Sequence, residues 1–313
     1  MRTGLTLTTA LVTAAFCSSA VLAEGFPEKP VTYVVTFPAG GDVDVVVRGM
    51  QPHLEEALGQ RVVVRNVGGA GGTIGAAEGA AADPDGYTLT MLAVGPASLQ
   101  PHLRDLPYDI DSWEFVCRVT NSPTIALVAP DSDIDTYEEL KAKALEGGML
   151  YASPGPGSMP NIAASALGNA MGADLKNVPF QGGPEMAKAV LGGVVTFFTG
   201  EATSVENFGL KPVLVLSGER LATMPDVPST ADVGLDLELS IWYGILAPKG
   251  TPADVVQTLS DACGEAISNT SFQEFATKAK LALAYQPTAE FAEFAKQNYK
   301  QMGDLLADVG MKK

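Results

Sequence analysis

The segment that decides the fold is residues 31–44, V-T-Y-V-V-T-F-P-A-G-G-D-V-D. An apolar, β-branched run ends there at Pro-Ala-Gly-Gly, the first glycine turn (residues 38–41), and an apolar pattern with helical spacing follows. A strand that passes through glycines into a helix presents backbone N–H groups without partners inside the helix. We therefore predict a site for a small anion such as a carboxylate, with Asp44 capping a helix that begins near Val45. The alternative is a tight strand-to-helix turn with no role in binding.

The N-terminus has the pattern of an export signal. Residues 1–23 contain Arg2, an apolar stretch and a small-residue exit at Ala23. This pattern predicts a signal peptide that is cleaved after Ala23, and hence an exported protein. A lipid anchor at Cys17 is disfavoured because Phe16 precedes it, and the apolar run is too short for a transmembrane helix, so we expect no membrane insertion of the mature protein.

Composition limits the partners and the domain count. The chain has 313 residues and a formal net charge of −16 at pH 7, which argues against nucleic acid and anionic membrane surfaces as partners. About 290 residues remain after signal removal, more than one hydrophobic core usually holds, so we predict two domains. Cys117 and Cys263 are interpreted as buried free thiols in preference to a disulfide, which their spacing does not require.

Short β-branched runs alternate with segments of helical spacing, which predicts an α/β fold with parallel, doubly wound sheets. The predicted strands are residues 31–36, 62–65, 88–93, 115–128, 149–153, 176–180, 194–198 and 213–217, and the predicted helices include 45–58, 162–171 and 185–191.

Two strands are expected to cross between the domains. The run at 115–128 is too long for one strand of a small sheet, and 239–245 is a second candidate. Two crossings divide the chain into a discontinuous domain 1, residues 24–122 plus 240–313, and a domain 2, residues 123–239. The tail from Pro252 onward is predicted to be helical, with apolar faces formed by Leu259, Ile267, Phe272, Phe275, Phe291 and Phe294.

A second glycine turn (residues 153–158, S-P-G-P-G-S) repeats the logic of the first, and Asn161 leads into the helix after it. We predict that the two turns, one in each domain, face each other across a cleft where a small anion binds. A third glycine-rich run at 68–75 fails the spacing of a dinucleotide or phosphate loop. It is interpreted as close helix packing or as a further amide rim of the same cleft.

Enzyme and metal sites find little support. The chain has only two histidines, His53 and His102, and no G-x-S-x-G turn, so a Ser-His-Asp hydrolase is disfavoured. The acidic run at 131–135 lacks the glycine and the closing glutamate of a calcium loop, and helix capping explains it better. We therefore predict no catalytic residues, no metal and no cofactor.

Motifs along nearly the whole mature chain resemble one known family. They are F-P-E-K-P-V at 26–31, F-P-A-G-G-x-x-D at 37–44, G-A-G-G-T-I-G at 69–75, P-D-G-Y-T-L at 84–89, L-P-Y-D at 106–109, S-P-G-x-G-S at 153–158, V-P-F-Q-G-G at 178–183, M-P-D-V-P-S-T at 224–230 and W-Y-G-I-L-A-P-K-G-T-P at 242–252. In this order they resemble the substrate-binding proteins of tripartite tricarboxylate transporters, the Bug or TctC family.

The resemblance implies a periplasmic protein with a type II periplasmic-binding-protein fold, a two-domain Venus flytrap. Its function would be to bind a carboxylated solute between the domains and to deliver it to the two subunits of a membrane permease. Expected partners are thus a small organic acid or amino-acid-like solute and the permease, with the protein itself a monomer. The predicted ligand-binding residues are Phe37, Ala39, Gly40, Gly41, Asp44, Gly71, Ser98, Ser153, Gly157, Ser158, Asn161, Phe180, Gly182 and Thr199.

Four positions near the expected pocket depart from the family pattern. Asp42 stands where a small or uncharged residue is usual, Asn161 replaces a common histidine, Phe180 a common tyrosine and Thr199 a common aspartate. We hypothesise that the added acid at Asp42 disfavours a polyanion such as citrate and leaves room for a ligand with fewer charges or an amino group. Two alternatives stay open: an exported α/β enzyme acting on a carboxylate or ester, and a ligand sensor feeding a two-component system.

Overall fold

The computed structural model describes residues 25–308, which form an α/β fold and confirm the predicted fold class. The strands are β1 (Val31–Val35), β2 (Val62–Asn66), β3 (Thr88–Ala93), β4 (Trp113–Val128), β5 (Leu150–Ser153), β6 (Lys176–Pro179), β7 (Phe197–Gly200), β8 (Lys211–Leu216), β9 (Ser240–Pro248) and β10 (Leu283–Pro287). The α-helices are α1 (Asp42–Leu58), α2 (Thr73–Ala80), α3 (Gln100–Leu103), α4 (Tyr137–Leu145), α5 (Met159–Met171), α6 (Gly183–Leu191), α7 (Ala202–Phe208), α8 (Ala253–Ser268), α9 (Thr270–Lys278) and α10 (Thr288–Asp308). The predicted signal peptide and its cleavage site lie outside the described residues.

The first sheet has the order β2-β1-β3-β9-β4, with β10 also paired to β4. Strands β2, β1 and β3 are parallel, as predicted, but β9 runs antiparallel to both of its neighbours. The expectation of purely parallel sheets is therefore wrong. The physical reason lies in β4 and β9, two long neighbouring strands of opposite direction that pair from Trp113–Pro248 to Pro123–Ser240.

The second sheet begins on the same long strand. From Thr124 to Val128, β4 pairs antiparallel with β7 and β8, and β5 lies parallel to β6 and β7. The partner of β4 thus changes at one step, from Ser240 opposite Pro123 to Leu216 opposite Thr124. This switch supports the proposed boundaries near residues 122 and 240, although the division into two domains stays a prediction.

Two predicted segments differ from the elements that the structure shows. The strand expected at 194–198 is β7 at Phe197–Gly200, because the Val194 N–H bonds back to the Ala189 carbonyl and closes the end of α6, leaving the Val194 side chain 60% exposed. The tail is not wholly helical, because β10 interrupts it. That strand is short and irregular, and its partner β4 lies far away in sequence, so no local pattern reveals it.

The two cysteines form a disulfide, which corrects the interpretation as free thiols. Cys117 on β4 and Cys263 on α8 are both fully buried, and their Cα atoms are 6.6 Å apart. They are separated by 146 residues, so only the packing of α8 on the sheet brings them together. A crosslink that closes so long a loop contributes roughly 2–5 kcal/mol to the free energy of unfolding.

Helix α1 directly follows the first glycine turn, and the spacing of its apolar residues explains why it forms. Its buried side chains, including Val43, Val46, Val47, Met50 and Leu54, recur at helical spacing and pack under the first sheet. Gly59 ends the helix with a φ of 62°, the left-handed conformation that glycine adopts readily. None of the described helices is both long enough and apolar enough to cross a membrane.

Candidate functional site

The first glycine turn is held by a carboxylate of the protein itself. Helix α1 begins at Asp42 after an extended Gly41, so Asp44 lies in the first helical turn and is not the cap that was predicted. The Gly40 N–H donates to Asp44 Oδ2 at 2.9 Å, and the Gly41 N–H donates to the Pro38 carbonyl at 3.3 Å. Both glycine N–H groups of this turn are therefore used inside the protein.

Asp44 is buried at 3% exposure and has several further donors. Arg48 Nε and Asn66 Nδ2 each donate to it at 2.9 Å. Burial alone would raise the pKa of Asp44, but the hydrogen bonds from Arg48, the Gly40 N–H and Asn66 together hold it below the ordinary value of 3.8. The Asp44 carboxylate is thus a structural anion that fixes the first glycine turn.

Neutral groups hold the second glycine turn. Ser158 caps α5: its hydroxyl accepts from the Asn161 N–H at 3.3 Å and donates to the Gly155 carbonyl at 2.8 Å. Asn161 Oδ1 accepts the Gly157 N–H at 3.1 Å, and Asn161 Nδ2 donates to the Tyr151 hydroxyl at 2.9 Å. No acidic side chain lies in the first turn of α5, unlike that of α1.

Ser153 completes the second glycine turn at its strand end. Its hydroxyl donates to Asn177 Oδ1 at 2.8 Å and accepts the Gly155 N–H at 3.1 Å. The next free donor is on the helix, because the Met159 N–H finds no acceptor among residues 25–308. Ser153, Gly157 and Asn161 therefore shape the loop, and direct contact between them and a ligand stays a prediction.

The turns of the two sheets meet face to face. A Cβ built on Gly182, at the start of α6, would lie 3.0 Å from Pro38 Cδ, and one on Gly40 would lie 3.9 Å from Pro184 Cγ. A Cβ on Gly95, just after β3, would lie 3.6 Å from Ser158 Cα. The structure thus brings both glycine turns to one seam between the sheets.

A cavity lies at this seam, with about 570 Å³ of empty space including the part open to solvent. Four predicted residues line it: Phe37, Gly41, Ser158 and Thr199. The other ten predicted residues are not in its lining: Ala39, Gly40, Asp44, Gly71, Ser98, Ser153, Gly157, Asn161, Phe180 and Gly182. The remaining lining is mostly apolar and comes from Val43, Ala93, Val94, Gly95, Pro154, Met159, Pro160, Gly183, Met186, Phe198, Gly200 and Ile241, with Asp42 and Tyr243 as its ionisable members.

Several of those ten residues lie beside the cavity with other roles. Ala39 and Gly40 are exposed, and Phe180 packs against the hydrophobic core of the second sheet. A Cβ on Gly71 would lie 2.9 Å from Gln100 Nε2 and 3.9 Å from the Pro154 carbonyl, so this glycine permits close contact across the seam. The Ser98 hydroxyl is fully buried and has no hydrogen-bond partner within residues 25–308.

A group of polar side chains near the cavity is absent from the predicted set of binding residues. Asp42 Oδ1 accepts from Thr203 Oγ1 at 2.5 Å, and both Asp42 oxygens lie 3.4 Å from Ser204 Oγ. Nearby, the Tyr243 hydroxyl donates to Glu201 Oε2. Burial raises the pKa of Asp42 and raises that of Glu201 well above its ordinary value, with the Asp42 charge adding to the effect on Glu201.

Asp42 is the member of this group that sequence reasoning brought nearest to the pocket. Asp42 adjoins the first glycine turn and was identified as a departure near the pocket. Phe198 and Tyr243 belong to a set of aromatic residues that could line a pocket or form the core, and only the fold, which brings β7 and β9 to the end of α1, distinguishes the two roles. Among the described residues, no group of three or more His, Cys, Asp and Glu is arranged to hold a metal ion.

Comparisons with known proteins agree with this geometry. The sequence model of the tripartite tricarboxylate transporter family receptors, TctC, matches residues 46–311. The protein BugT of Bordetella pertussis is 31% identical, with 81% of each chain covered.

Two solved structures are similar in fold and sequence. The periplasmic binding protein BugD has a TM-score of 0.86 and 29% identity, with 92% of this chain and 100% of BugD covered. MatC from Rhodopseudomonas palustris, solved with bound malate, has a TM-score of 0.83 and 26% identity, with 90% and 100% covered. The motifs, the fold and these matches agree, and the chain belongs to the TctC family of tripartite tricarboxylate transporter receptors.

Proposed function

We propose that this protein is a periplasmic receptor that binds a small carboxylate-containing solute in the cavity between its two sheets and delivers it to a tripartite tricarboxylate-type permease. The proposal makes it a monomeric binding protein without catalytic activity. It would reach the periplasm through the predicted signal peptide. MatC, a relative, holds malate in its solved structure, which supports a carboxylate as the solute class.

The observation that carries the proposal is the meeting of two glycine-rich helix starts at one apolar cavity. Small-molecule sites favour concave, mostly apolar pockets between domains, with a few polar groups that fix orientation. The N-terminus of α5, with its free Met159 N–H and no acidic residue in its first turn, is the end suited to a carboxylate. The first glycine turn is less suited to bind the ligand carboxylate than the start of α5, because Asp44 and Pro38 already accept its glycine N–H groups.

Contacts across the seam support a closing motion around the solute. Asp42 meets Thr203, Lys280 Nζ lies 2.6 Å from Glu206 Oε1, and Gln100 Nε2 donates to the Pro156 carbonyl at 2.8 Å. In each pair one residue belongs to the proposed domain 1 and the other to domain 2. A hinge motion that makes and breaks these contacts would admit the solute and then present a joined surface to the permease.

The affinity required is within reach of such a site. A micromolar dissociation constant corresponds to about 8 kcal/mol. Two or three hydrogen bonds to a charged carboxylate, at roughly 1.5–3 kcal/mol each, together with apolar burial can supply that against the cost of association.

The test is a thermal-shift screen of the purified mature protein against organic acids and amino acids, followed by calorimetric titration of every hit. We expect at least one carboxylate to bind with one-to-one stoichiometry and to be recovered unchanged. Recovery of a chemically altered product would favour the enzyme alternative. Absence of binding by every carboxylate would contradict the proposed function.

A further inference from the structure

The cavity is unusual in its charge. Its eighteen lining residues include no lysine, arginine or histidine, and the only acid among them is Asp42. A ligand with two or three carboxylates would bury charges that no side chain of the lining can neutralise. Burial of an unpaired charge is strongly unfavourable, so the lining disfavours polyanions.

Asp42 has no cationic partner in the described part of the chain. Its contacts are the hydroxyl groups of Thr203 and Ser204, and neither Asp42 nor the neighbouring Glu201 forms an ion pair with a basic side chain within residues 25–308. Glu201 is 2% exposed and is bonded to Tyr243, so it lies behind the lining, whereas Asp42 is part of the lining. Arg48, the cation nearest in sequence, is engaged by Asp44. Among residues 25–308, hydroxyl groups and no basic side chain therefore face the Asp42 carboxylate.

The opposite polarity is found at the second glycine turn. Helix α5 has thirteen residues and no acid in its first turn, and its Met159 N–H has no acceptor within residues 25–308. The N-terminus of such a helix carries a partial positive charge. The cavity lining therefore contains both a backbone donor, the Met159 N–H, and an acidic acceptor, Asp42, together with apolar side chains that include Phe37, Met186, Phe198 and Ile241.

We propose that the cavity selects a zwitterionic solute with one carboxylate, one amino group and an apolar body, and that Asp42 is the specificity-determining residue that binds the amino group. This inference rests on the proposed function, since it assigns the solute class of the same cavity. The carboxylate lies at the N-terminus of α5 and the ammonium group donates to Asp42, displacing or adding to the hydroxyl donors there.

The test uses three probes of nearly equal shape: leucine, 4-methylpentanoate, which lacks the amino group, and isobutylmalonate, which carries a second carboxylate in its place. Calorimetric titration of the wild-type protein should give at least tenfold tighter binding of leucine than of either analogue. Asp42→Asn should weaken leucine binding at least tenfold and reduce the discrimination against the two analogues. Glu274→Gln, which removes the same charge from an exposed site on α9, should change nothing.

Each outcome separates this inference from the proposed function. Equal or tighter binding of either analogue by the wild-type protein overturns the inference, as does undiminished leucine binding by Asp42→Asn. Binding of another organic acid with none of the three probes bound overturns the zwitterion class and leaves the receptor function standing. No binding by any carboxylate or amino acid overturns both. Far-UV circular dichroism establishes that Asp42→Asn is folded, and Asp42→Ser provides a second variant.

Discussion

The starts of α1 and α5 have the same construction and opposite electrostatics. Each follows a strand and a glycine in the left-handed conformation, Gly40 with a φ of 77° and Gly157 with a φ of 76°. The residue that reaches back to the turn is Asp44 in the first case and Asn161 in the second. A charged carboxylate occupies one turn and a neutral amide the other, so only the second keeps a helix N-terminus without a negative neighbour.

This difference shows that a glycine-rich helix start is not by itself an anion site. The amides of such a turn need acceptors, and a nearby side chain can supply them as well as a ligand can. In this chain the protein supplies the anion for the first glycine turn, namely Asp44, and Asp42 is a second acidic residue at the same helix end. The two turns therefore differ in the charge of the side chain that holds them, Asp44 in the first and Asn161 in the second.

The largest expected effect on stability comes from replacing the left-handed glycine of a turn, Gly157 or Gly40, with alanine. Gly157→Ala should lower the free energy of unfolding by about 2–4 kcal/mol, because the left-handed backbone is strained and the new Cβ would lie 2.2 Å from Leu103 Cδ1 and 2.9 Å from Gln100 Nε2, which bonds to the Pro156 carbonyl. Gly40→Ala is the matched control, since its Cβ would meet only Pro184 Cγ at 3.9 Å. It should cost about 1–2 kcal/mol. Urea unfolding measures both, and equal losses would contradict the tighter packing assigned to the second glycine turn.

An effect of intermediate size should appear in the pH dependence of the two acids on α1. The pKa of Asp44 is lowered in the fold, so its contribution is present above its ordinary value of 3.8 and is lost as pH falls through the lowered pKa. The pKa of Asp42 is raised, so its contribution is complete below 3.8 and is lost as pH rises through the raised pKa. Asp44→Asn should therefore cost about 1–3 kcal/mol at pH 7 and less in acid. Asp42→Asn should be more favourable relative to wild type at pH 7 than at pH 4.

Urea unfolding between pH 3 and pH 7 tests this pair of opposite slopes. Glu201→Gln is the control, because the Glu201 pKa is also raised and would otherwise contribute to the same trend. Parallel pH profiles for the Asp42 and Asp44 variants would refute the electrostatic contrast drawn between the two residues.

The smallest expected change in stability is that of Ser158→Ala. Loss of the cap of α5 should lower the free energy of unfolding by about 1 kcal/mol, because the Asn161 N–H loses its acceptor. Binding of the best carboxylate should weaken as well, since Ser158 lines the cavity and orients the α5 end. Thr136→Ala removes a comparable cap from α4, outside the cavity lining, and should lower stability without changing affinity. An unchanged dissociation constant for Ser158→Ala would remove this residue from the site.

The local features of the fold were predictable because their causes are local. The apolar run before Pro38 and the serine and asparagine after Gly157 identify strand ends and helix starts directly in the sequence. The length of the run at 115–128 likewise predicted a strand that takes part in both sheets, which β4 does. In each case the residues that produce the feature are neighbours along the chain.

The features that the sequence did not reveal depend on distant partners. Cys117 and Cys263 meet only because α8 packs against β4, and β10 forms a strand only because it pairs with β4. The cavity lining has the same origin, because the sequence does not show which aromatic residues, Tyr243 and Phe198 among them, lie at the point where β9, β7 and α1 meet. Asp44 was predicted to contact the ligand, because the sequence does not show that the Asp44 carboxylate accepts the Gly40 N–H.

The most direct test of the central claim is a crystal structure of the protein bound to the carboxylate with the largest thermal shift. The account predicts that the solute fills the cavity between the two sheets, with one carboxylate oxygen about 3 Å from the Met159 nitrogen at the start of α5. A carboxylate bound instead at the first glycine turn beside Asp42, or a solute bound outside this cavity, would contradict the account.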